Sequence, residues 1–365
     1  MRTALILVCV GLFAGKLPAA AAGPDPCQVH VILFVPADIA PPAGYQQRID
    51  DMVRYGESFF TRELKRWGHE KVVMPFRRTK NGHVEVTLVR GKLAASRYKP
   101  VSLRGEVMDL NREQNKLANG RQVWWILVYV GDPPAKFPGY LGGFGEQIGG
   151  WAVCNFNTAP GRIDPEAELG SDFLEDLTLK GMIHELGHGF QLSHIGPLQK
   201  DDRGNTLMGP THANFRRVVK NEQRVSLCEA EAALLANHPA FRGEQDIPAR
   251  LPKVDVQDMK YTADRKARSI VVRGRLTASS RGVYAVVGDE SDARPGEYWT
   301  KTYVGRVAHD GQFEVVVSEP AESGGTLKTW FAFEGGAQTG DGSSRGRDSG
   351  IAKPYTYRGG QWTFP

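Results

Sequence analysis

The sequence has little of what marks the specialised classes of protein. Its 365 residues include only four cysteines, which argues against a small scaffold held together by disulfide bonds. Charge is nearly balanced, with 46 Lys and Arg against 41 Asp and Glu. Two of the basic residues, Arg2 and Lys16, belong to the N-terminal segment described next, which leaves 44 basic against 41 acidic side chains. So small a surplus gives no support to nucleic-acid binding or to attachment at a membrane surface.

Long hydrophobic runs are also missing, and one short apolar run lies at the N-terminus. Residues 4–14 are almost wholly apolar and end before Lys16 and Pro18, so the run is too short for a membrane-spanning helix. Residues 19–22 are alanines, the small residues after which signal peptidase cuts. We therefore expect residues 1–22 to be a signal peptide. The mature protein is then exported, secreted or periplasmic, with no integral membrane segment.

Three cysteines remain after removal of such a signal, namely Cys27, Cys154 and Cys228. An odd number allows one disulfide bond with one free thiol, or no disulfide bond at all. Of the possible pairs we favour Cys154 with Cys228, because Cys27 opens the first strand close to the new N-terminus.

The hydrophobic pattern divides the rest of the chain into two parts. Residues 23–247 mix strand and helix patterns, prolines 248 and 252 mark a linker over 248–254, and residues 255–365 show short strands separated by Gly-rich turns. Predicted strands are 29–35, 72–76, 84–89, 123–130, 269–276, 283–287, 313–317 and 327–333. Predicted helices are about 25 residues ending at Gly68, one from Ser171 or Asp172, and 222–237. The region before Gln122 is polar, 196–214 has loop composition, and 335–349 predicts a mobile loop.

The second helix carries the residues that point to chemistry. It contains His184-Glu185-Leu186-Gly187-His188, and His194 follows six residues later. Residues i and i+4 share one helix face, so His184 and His188 can present two imidazoles to one ion, with Glu185 projecting beside that face. Imidazole nitrogen suits Zn²⁺, and three protein ligands leave a position open for water, as in catalytic zinc sites. The pattern predicts one catalytic zinc ion on His184, His188 and His194.

The stretch HELGHGFQLSH, followed by IGPLQKDDRGNTLMGPTH, resembles the metzincin metallopeptidases, whose signature is HExxHxxGxxH followed by a methionine-bearing turn. The resemblance implies a zinc-dependent endopeptidase that hydrolyses peptide bonds by metal-activated water, with Glu185 as general base and Met208 in the Met-turn. It also implies the fold: an α/β (α+β) domain with a mixed sheet and an active-site helix over 23–247, here followed by a β-sandwich-like domain. The chain departs from the signature at Gln191, where the family has glycine.

The resemblance further implies where the substrate lies. Metzincins pair extended substrate with the edge strand that precedes the zinc helix. The matching segment is 149–156, so we expect Gly150, Trp151, Ala152 and Val153 to bind the peptide.

Three alternatives remain open. A gluzincin-like site would take its third ligand from an acid on a later helix, with Glu222 as the best candidate and Glu229 and Glu231 behind it. A secreted binding or cell-surface protein could carry a structural or catalytically silent zinc site, although such a site has no need of Glu185. Calcium at Asp201, Asp202 and Asn205 is possible but unsupported, because the EF-hand spacing is missing.

The C-terminal aromatics include Tyr298, Trp299, Trp330 and Trp362. Aromatics in strands favour a place in the core, with binding of a carbohydrate or protein ligand as the other possibility.

Overall fold

The computed structural model describes residues 26–98, 100–115, 122–131, 141–145, 149–156, 158, 161–171, 174, 177–244, 250–294 and 296–365. The predicted signal peptide, 1–22, lies outside these ranges, as do residues 248 and 249 of the predicted linker. Within the described ranges, no helix is both long enough and apolar enough to pass through a bilayer.

A five-stranded mixed sheet forms the centre of the first part. Its strands are β1 (Val29–Val35), β2 (Val86–Arg90), β3 (Val123–Val128), β4 (Leu141–Gly145) and β5 (Gly150–Asn155), in the order β2-β1-β3-β5-β4. The first four strands in that order are parallel, and β4 pairs antiparallel with β5. The mixed α/β character expected of this part is confirmed.

Helices cover both faces of this sheet, which is why β3 is a continuous apolar run, β1 is apolar apart from His30, and both strands are buried on both sides. Helices α1 (Tyr45–Arg66) and α3 (Leu179–Gly189) pack on one face, and α2 (Pro100–Asn115) packs on the other through Leu103, Val107 and Leu110. Helix α1 ends before Gly68, whose φ of 79° turns the chain, as the sequence predicts.

Four elements differ from the sequence-based expectations. Helix α2 lies in the region read as polar, and the segment 72–76 forms only an isolated bridge between Phe76 and Val29. Helix α3 begins at Leu179, directly after Thr178, whose conformation is left-handed with φ 55°. Of the two predicted starting residues, Ser171 is not helical and Asp172 lies outside the described residues. In place of a helix over 222–237, strand β7 (Val225–Ser226), which pairs with β6 (Asn205–Thr206), precedes a shorter helix. The other α-helices with described bounds are α4 (His212–Val218), α5 (Glu229–Asn237) and α6 (Pro239–Arg242).

The second part is β-rich, as expected, and consists of two sheets. Strands β8 (Val254–Asp264), β9 (Ser269–Ala278) and β12 (Gln312–Val317) form a three-stranded sheet. The larger sheet contains β10 (Gly282–Ser291), β11 (Lys301–Arg306), β13 (Gly325–Phe333), β14 (Gln338–Thr339), β15 (Ile351–Arg358) and β16 (Gln361–Thr363). One apolar core lies between the sheets and includes Trp362, as expected for a strand aromatic.

The two parts also share a core with each other. Val286 of β10 and Trp330 of β13 belong to the same buried cluster as α1, α3 and α5. The segment 335–349 is not the mobile loop that its composition suggests. Residues 335–340 are buried, Arg347 is 9% exposed, and Arg345 donates a hydrogen bond to the carbonyl of Gly145 in β4. Small and polar residues in this segment therefore serve close packing between the two parts.

The preferred disulfide between Cys154 and Cys228 is wrong. Cys27, Cys154 and Cys228 are all free and buried. Cys154 lies in β5 with its thiol against the carbonyl of Met182, whereas Cys228 precedes α5, so the two belong to separate elements.

Candidate metal centre

Three histidines converge at the C-terminal end of helix α3. His184 and His188 lie one turn apart on the helix and His194 follows it, so that one nitrogen from each ring lies within 4.8 Å of the others. The Nε2 atoms of His188 and His194 are 3.1 Å apart. Ligand nitrogens about 2.0–2.1 Å from a tetrahedral metal are roughly 3.3 Å from one another. These three side chains could therefore hold one metal ion.

The outer nitrogens of the helix histidines point away from the cluster and are engaged. His184 Nδ1 lies 2.8 Å from the carbonyl of Leu207, and His188 Nδ1 lies 2.7 Å from that of Leu192. A ring N–H must donate in each contact, which places the proton on Nδ1 and leaves the unprotonated Nε2, with its lone pair, facing the cluster. Burial lowers the pKa of His184 and lowers that of His188 to about 4, so both rings are neutral. Neutral imidazole is the form that binds a metal.

The third histidine is placed by the turn that ends α3. Gln191 has φ 66°, its N–H donates to the carbonyl of His188, and the Leu192 N–H donates to that of Gly187. This pair of bonds is the Schellman ending usually formed by glycine. A residue with a Cβ adopts the left-handed conformation at a cost of about 1–2 kcal/mol. Gln191 therefore forms this left-handed turn where the metzincin signature has glycine, and the turn leads directly to His194.

Met208 lies in a turn directly beneath the helix. It is 0% exposed, and a Cβ added to Gly187 would lie only 2.5 Å from the Met208 sulfur, so the turn packs against the helix backbone. Lys180 Nζ donates to the carbonyls of Gly209 and Pro210, at 3.2 and 3.0 Å. The buried carboxylate of Glu231 accepts from the Met208 N–H at 2.7 Å. The turn is thus fixed to α3 and α5 by buried polar groups.

The strand beside the helix differs from the expected one. Strand β5, with Gly150, Trp151, Ala152 and Val153, lies between β3 and β4, so its backbone is paired on both sides and cannot receive a peptide. The edge strand is β4. A Cβ on Gly143 would lie 2.2 Å from the Glu185 carbonyl oxygen, so glycine here allows β4 to lie directly on α3. Phe144, 56% exposed, stacks on Trp151 with ring centroids 6.3 Å apart.

Glu185 lies on α3 next to the first histidine, partly buried. Its carboxylate makes no hydrogen bond or ion pair within the described part of the chain. Burial raises the pKa of Glu185 to about 7, against the opposing effect of the Lys180 ammonium.

Two further side chains at the histidines come from the second part and were not foreseen as site residues. The ring of Tyr298 lies 3.8 Å from that of His194 and 6.0 Å from that of His184, measured between centroids. Glu297 Oε1 lies 3.1 Å from His194 Nδ1. Both belong to a turn of 3-10 helix, Glu297–Trp299, more than 100 residues beyond the motif in sequence. Nothing in the local sequence around this turn signals the contact.

The alternative ligands lie elsewhere. Glu222 is bound by Arg224, with an oxygen 2.7 Å from Nη2, and does not join the histidine cluster, so the gluzincin-like third ligand is wrong. Among the residues that the structure describes, Asp201 and Asp202 do not gather with a third His, Cys, Asp or Glu side chain. The Asn205 amide donates to the carbonyl of Pro210. Calcium therefore gains no support.

No protein-family model matches the chain, and no curated protein matches it in sequence. Its fold is similar to that of OgpA from Akkermansia muciniphila. The crystal structure of catalytically inactive OgpA in complex with an O-glycopeptide (glycodrosocin) substrate has a TM-score of 0.70 at 17% identity, covering 95% of this chain and 97% of that one. Wild-type OgpA in another crystal form gives 0.71 at 18% identity, covering 98% and 100%. The likeness extends over both parts of the chain and shows a shared fold.

Proposed function

We propose that this protein is an exported, zinc-dependent endopeptidase. The observation that carries the proposal is the convergence of three imidazoles, two of them with their outer nitrogens bonded to backbone carbonyls. A set of three neutral nitrogen ligands suits Zn²⁺, and three protein ligands are what catalytic zinc sites use. The fold shared with OgpA, which is known in complex with a peptide substrate, supports the same reaction class.

The residues around the cluster have distinct parts in peptide hydrolysis. Zinc, when bound, polarises the scissile carbonyl and lowers the pKa of water toward neutrality. Glu185 takes the proton as water attacks and returns it to the leaving amine, acting as general base and then as general acid. Its carboxylate is available for this because it is not tied to a described neighbour. Met208 and the buried groups around it keep the helix and its ligands in place.

The substrate extends along the edge of β4 that faces away from β5, which pairs with no other strand among the residues that the structure describes. An extended peptide adds to a sheet edge through main-chain hydrogen bonds, and β4 offers such an edge in direct contact with α3. Gly143 brings that edge against the backbone of Glu185, so a bound peptide passes beside the proposed base.

O-glycosylated peptides are the first substrate class to consider, because OgpA is known in complex with one. The stacked Phe144 and Trp151 lie on β4 and β5, beside the proposed peptide path. Their rings provide an apolar surface on which a sugar can pack.

Matched peptides with and without an O-glycan test the proposal. Purified protein is assayed by mass spectrometry with zinc and with chelator, and bound metal is measured independently. Chelation is expected to abolish cleavage and added zinc to restore it. Glu185→Ala should lose cleavage while keeping one zinc, and Glu229→Ala, a change at an exposed glutamate on α5, should leave both unchanged.

Two results would count against the proposal. Substantial turnover by Glu185→Ala would refute its role as base. Zinc binding without cleavage of any peptide by the wild-type protein would favour the alternative, a binding or cell-surface protein with a silent zinc site.

A further inference from the structure

The outer nitrogen of the third histidine has a partner of a different kind. His184 and His188 each face a backbone carbonyl of the first part, whereas His194 Nδ1 faces the carboxylate of Glu297 at 3.1 Å. A carboxylate is a stronger acceptor than a carbonyl and makes the opposite ring nitrogen a better ligand.

The carboxylate is itself held in place. Arg347 Nη2 donates to Glu297 Oε2 at 2.9 Å, while Glu297 Oε1 faces His194. The guanidinium is 10% exposed and also donates to the Thr300 hydroxyl at 3.1 Å. The two oxygens of the Glu297 carboxylate therefore have separate partners. The planar guanidinium of Arg347 holds one oxygen and so orients the other toward His194.

The second part contacts the chain around His194 at other points as well. Gln338 Nε2 donates to the carbonyl of Gln191 at 3.3 Å, at the turn that leads to the histidine. On the other side, the Gly196 N–H donates to the carbonyl of Thr300 at 2.7 Å. The ring of Tyr298 covers His194 at 3.8 Å. The backbone on both sides of His194 and the His194 ring itself thus contact the second part.

We propose that Glu297, oriented by Arg347, is a positioning residue for His194. It keeps the ring proton on Nδ1 and turns Nε2 toward the metal, so the second part of the chain is a component of the metal centre. The inference rests on the proposed site only in requiring that a metal binds the three histidines. It does not require that a peptide is cleaved.

The test measures zinc affinity of the full chain by competition with a chromophoric chelator. Glu297→Ala should weaken zinc binding by about 10–100-fold, the range typical when the partner of a metal-binding histidine is removed. Glu297→Gln should weaken it less, because an amide oxygen still accepts from Nδ1. The visible spectrum of bound Co²⁺ should change in Glu297→Ala, since a freed ring alters the geometry around the ion.

Glu290→Gln is the matched control. Glu290 Oε1 lies 3.7 Å from Nε of the same arginine, Arg347, and does not touch His194. The zinc affinity of the Glu290→Gln variant should therefore match that of the wild type. Glu297 is 53% exposed, so its replacement leaves no cavity, and thermal unfolding of the metal-free variants checks the fold. Zinc affinity of Glu297→Ala and Glu297→Gln within twofold of wild type would overturn the proposal. An effect equal to that of Glu290→Gln would do the same. Because the readout is metal binding, an inactive wild-type protein would refute the proposed function and leave this result standing.

Discussion

The buried carboxylate beneath the metal centre allows a quantitative prediction. Glu231 is 0% exposed, and its two oxygens accept separately, Oε1 from the Met208 N–H and Oε2 from the Cys228 N–H, both at 2.7 Å. One side chain therefore fixes the methionine turn to the start of α5. We expect Glu231→Gln to destabilise the protein although it changes the shape of the side chain little.

The magnitude follows from counting acceptors. Glutamine has one carbonyl oxygen, so one of the two buried N–H groups loses its acceptor and instead faces an amide NH₂. Leaving a buried donor unsatisfied costs about 1–3 kcal/mol. Glu231→Gln should therefore lower the free energy of unfolding by about 2 kcal/mol. Glu231→Ala, which removes both acceptors, should lower it by about twice as much.

Urea unfolding of the metal-free protein at pH 7, followed by tryptophan fluorescence, measures the loss without the added stability that a bound metal would give. Glu229→Gln is the control, because Glu229 is exposed on the same helix and its replacement should change stability by less than about 0.5 kcal/mol. If Glu231→Gln unfolds within that same margin of the wild type, the two hydrogen bonds do not stabilise the turn and the reasoning is wrong.

Two other features lead to testable expectations. Gly143→Ala would place a Cβ 2.2 Å from the Glu185 carbonyl oxygen, so β4 must move off α3 and peptide cleavage should fall by about 100-fold. The control is Gly142→Ala, whose Cβ meets only the Trp151 ring at 4.0 Å and which should stay active. Equal activities of the two variants would contradict the proposed peptide path. Burial raises the pKa of Asp289 to about 6 from the ordinary 3.8, so the folded protein keeps a proton that the unfolded chain has released. The free energy of unfolding should therefore fall by up to roughly 3 kcal/mol as pH rises from about 4 to about 6. Urea titrations across this range should show no such decline for Asp289→Asn, and parallel curves for the two proteins would exclude the effect.

Local patterns in the sequence predict the elements that depend on local physics. Strand β3 is a continuous apolar run and β1 is one apart from His30, and their burial between two helical layers follows from that character. The spacing of His184 and His188 is enough to place them on one helix face. Helix α2 could have been found from the apolar spacing of Leu103, Val107 and Leu110, although polar neighbours dilute that signal.

Other parts of the site depend on contacts that no local pattern reports. Strand β4 is rich in glycine because it lies against a helix backbone, and the same glycines make it look like a loop in the sequence. The neighbours of His194, Glu297 and Tyr298, come from a distant turn and reach it only because the two parts of the chain pack together. The left-handed Gln191 shows that the turn tolerates a residue with a Cβ where the signature has glycine.

The core shared by the two parts has a consequence for folding. Val286 and Trp330 complete an apolar layer against α1, α3 and α5, and Trp330 is 1% exposed. A protein whose layers are buried in this way opens as one cooperative unit, because neither half can lose its partner without exposing that surface to water. Cleaving the chain near residue 250 would thus give two fragments with exposed apolar surfaces that tend to aggregate, and not two independently folded domains. Insertions or deletions in the β-rich half that disturb this apolar layer would also displace α3 and the histidines that it carries.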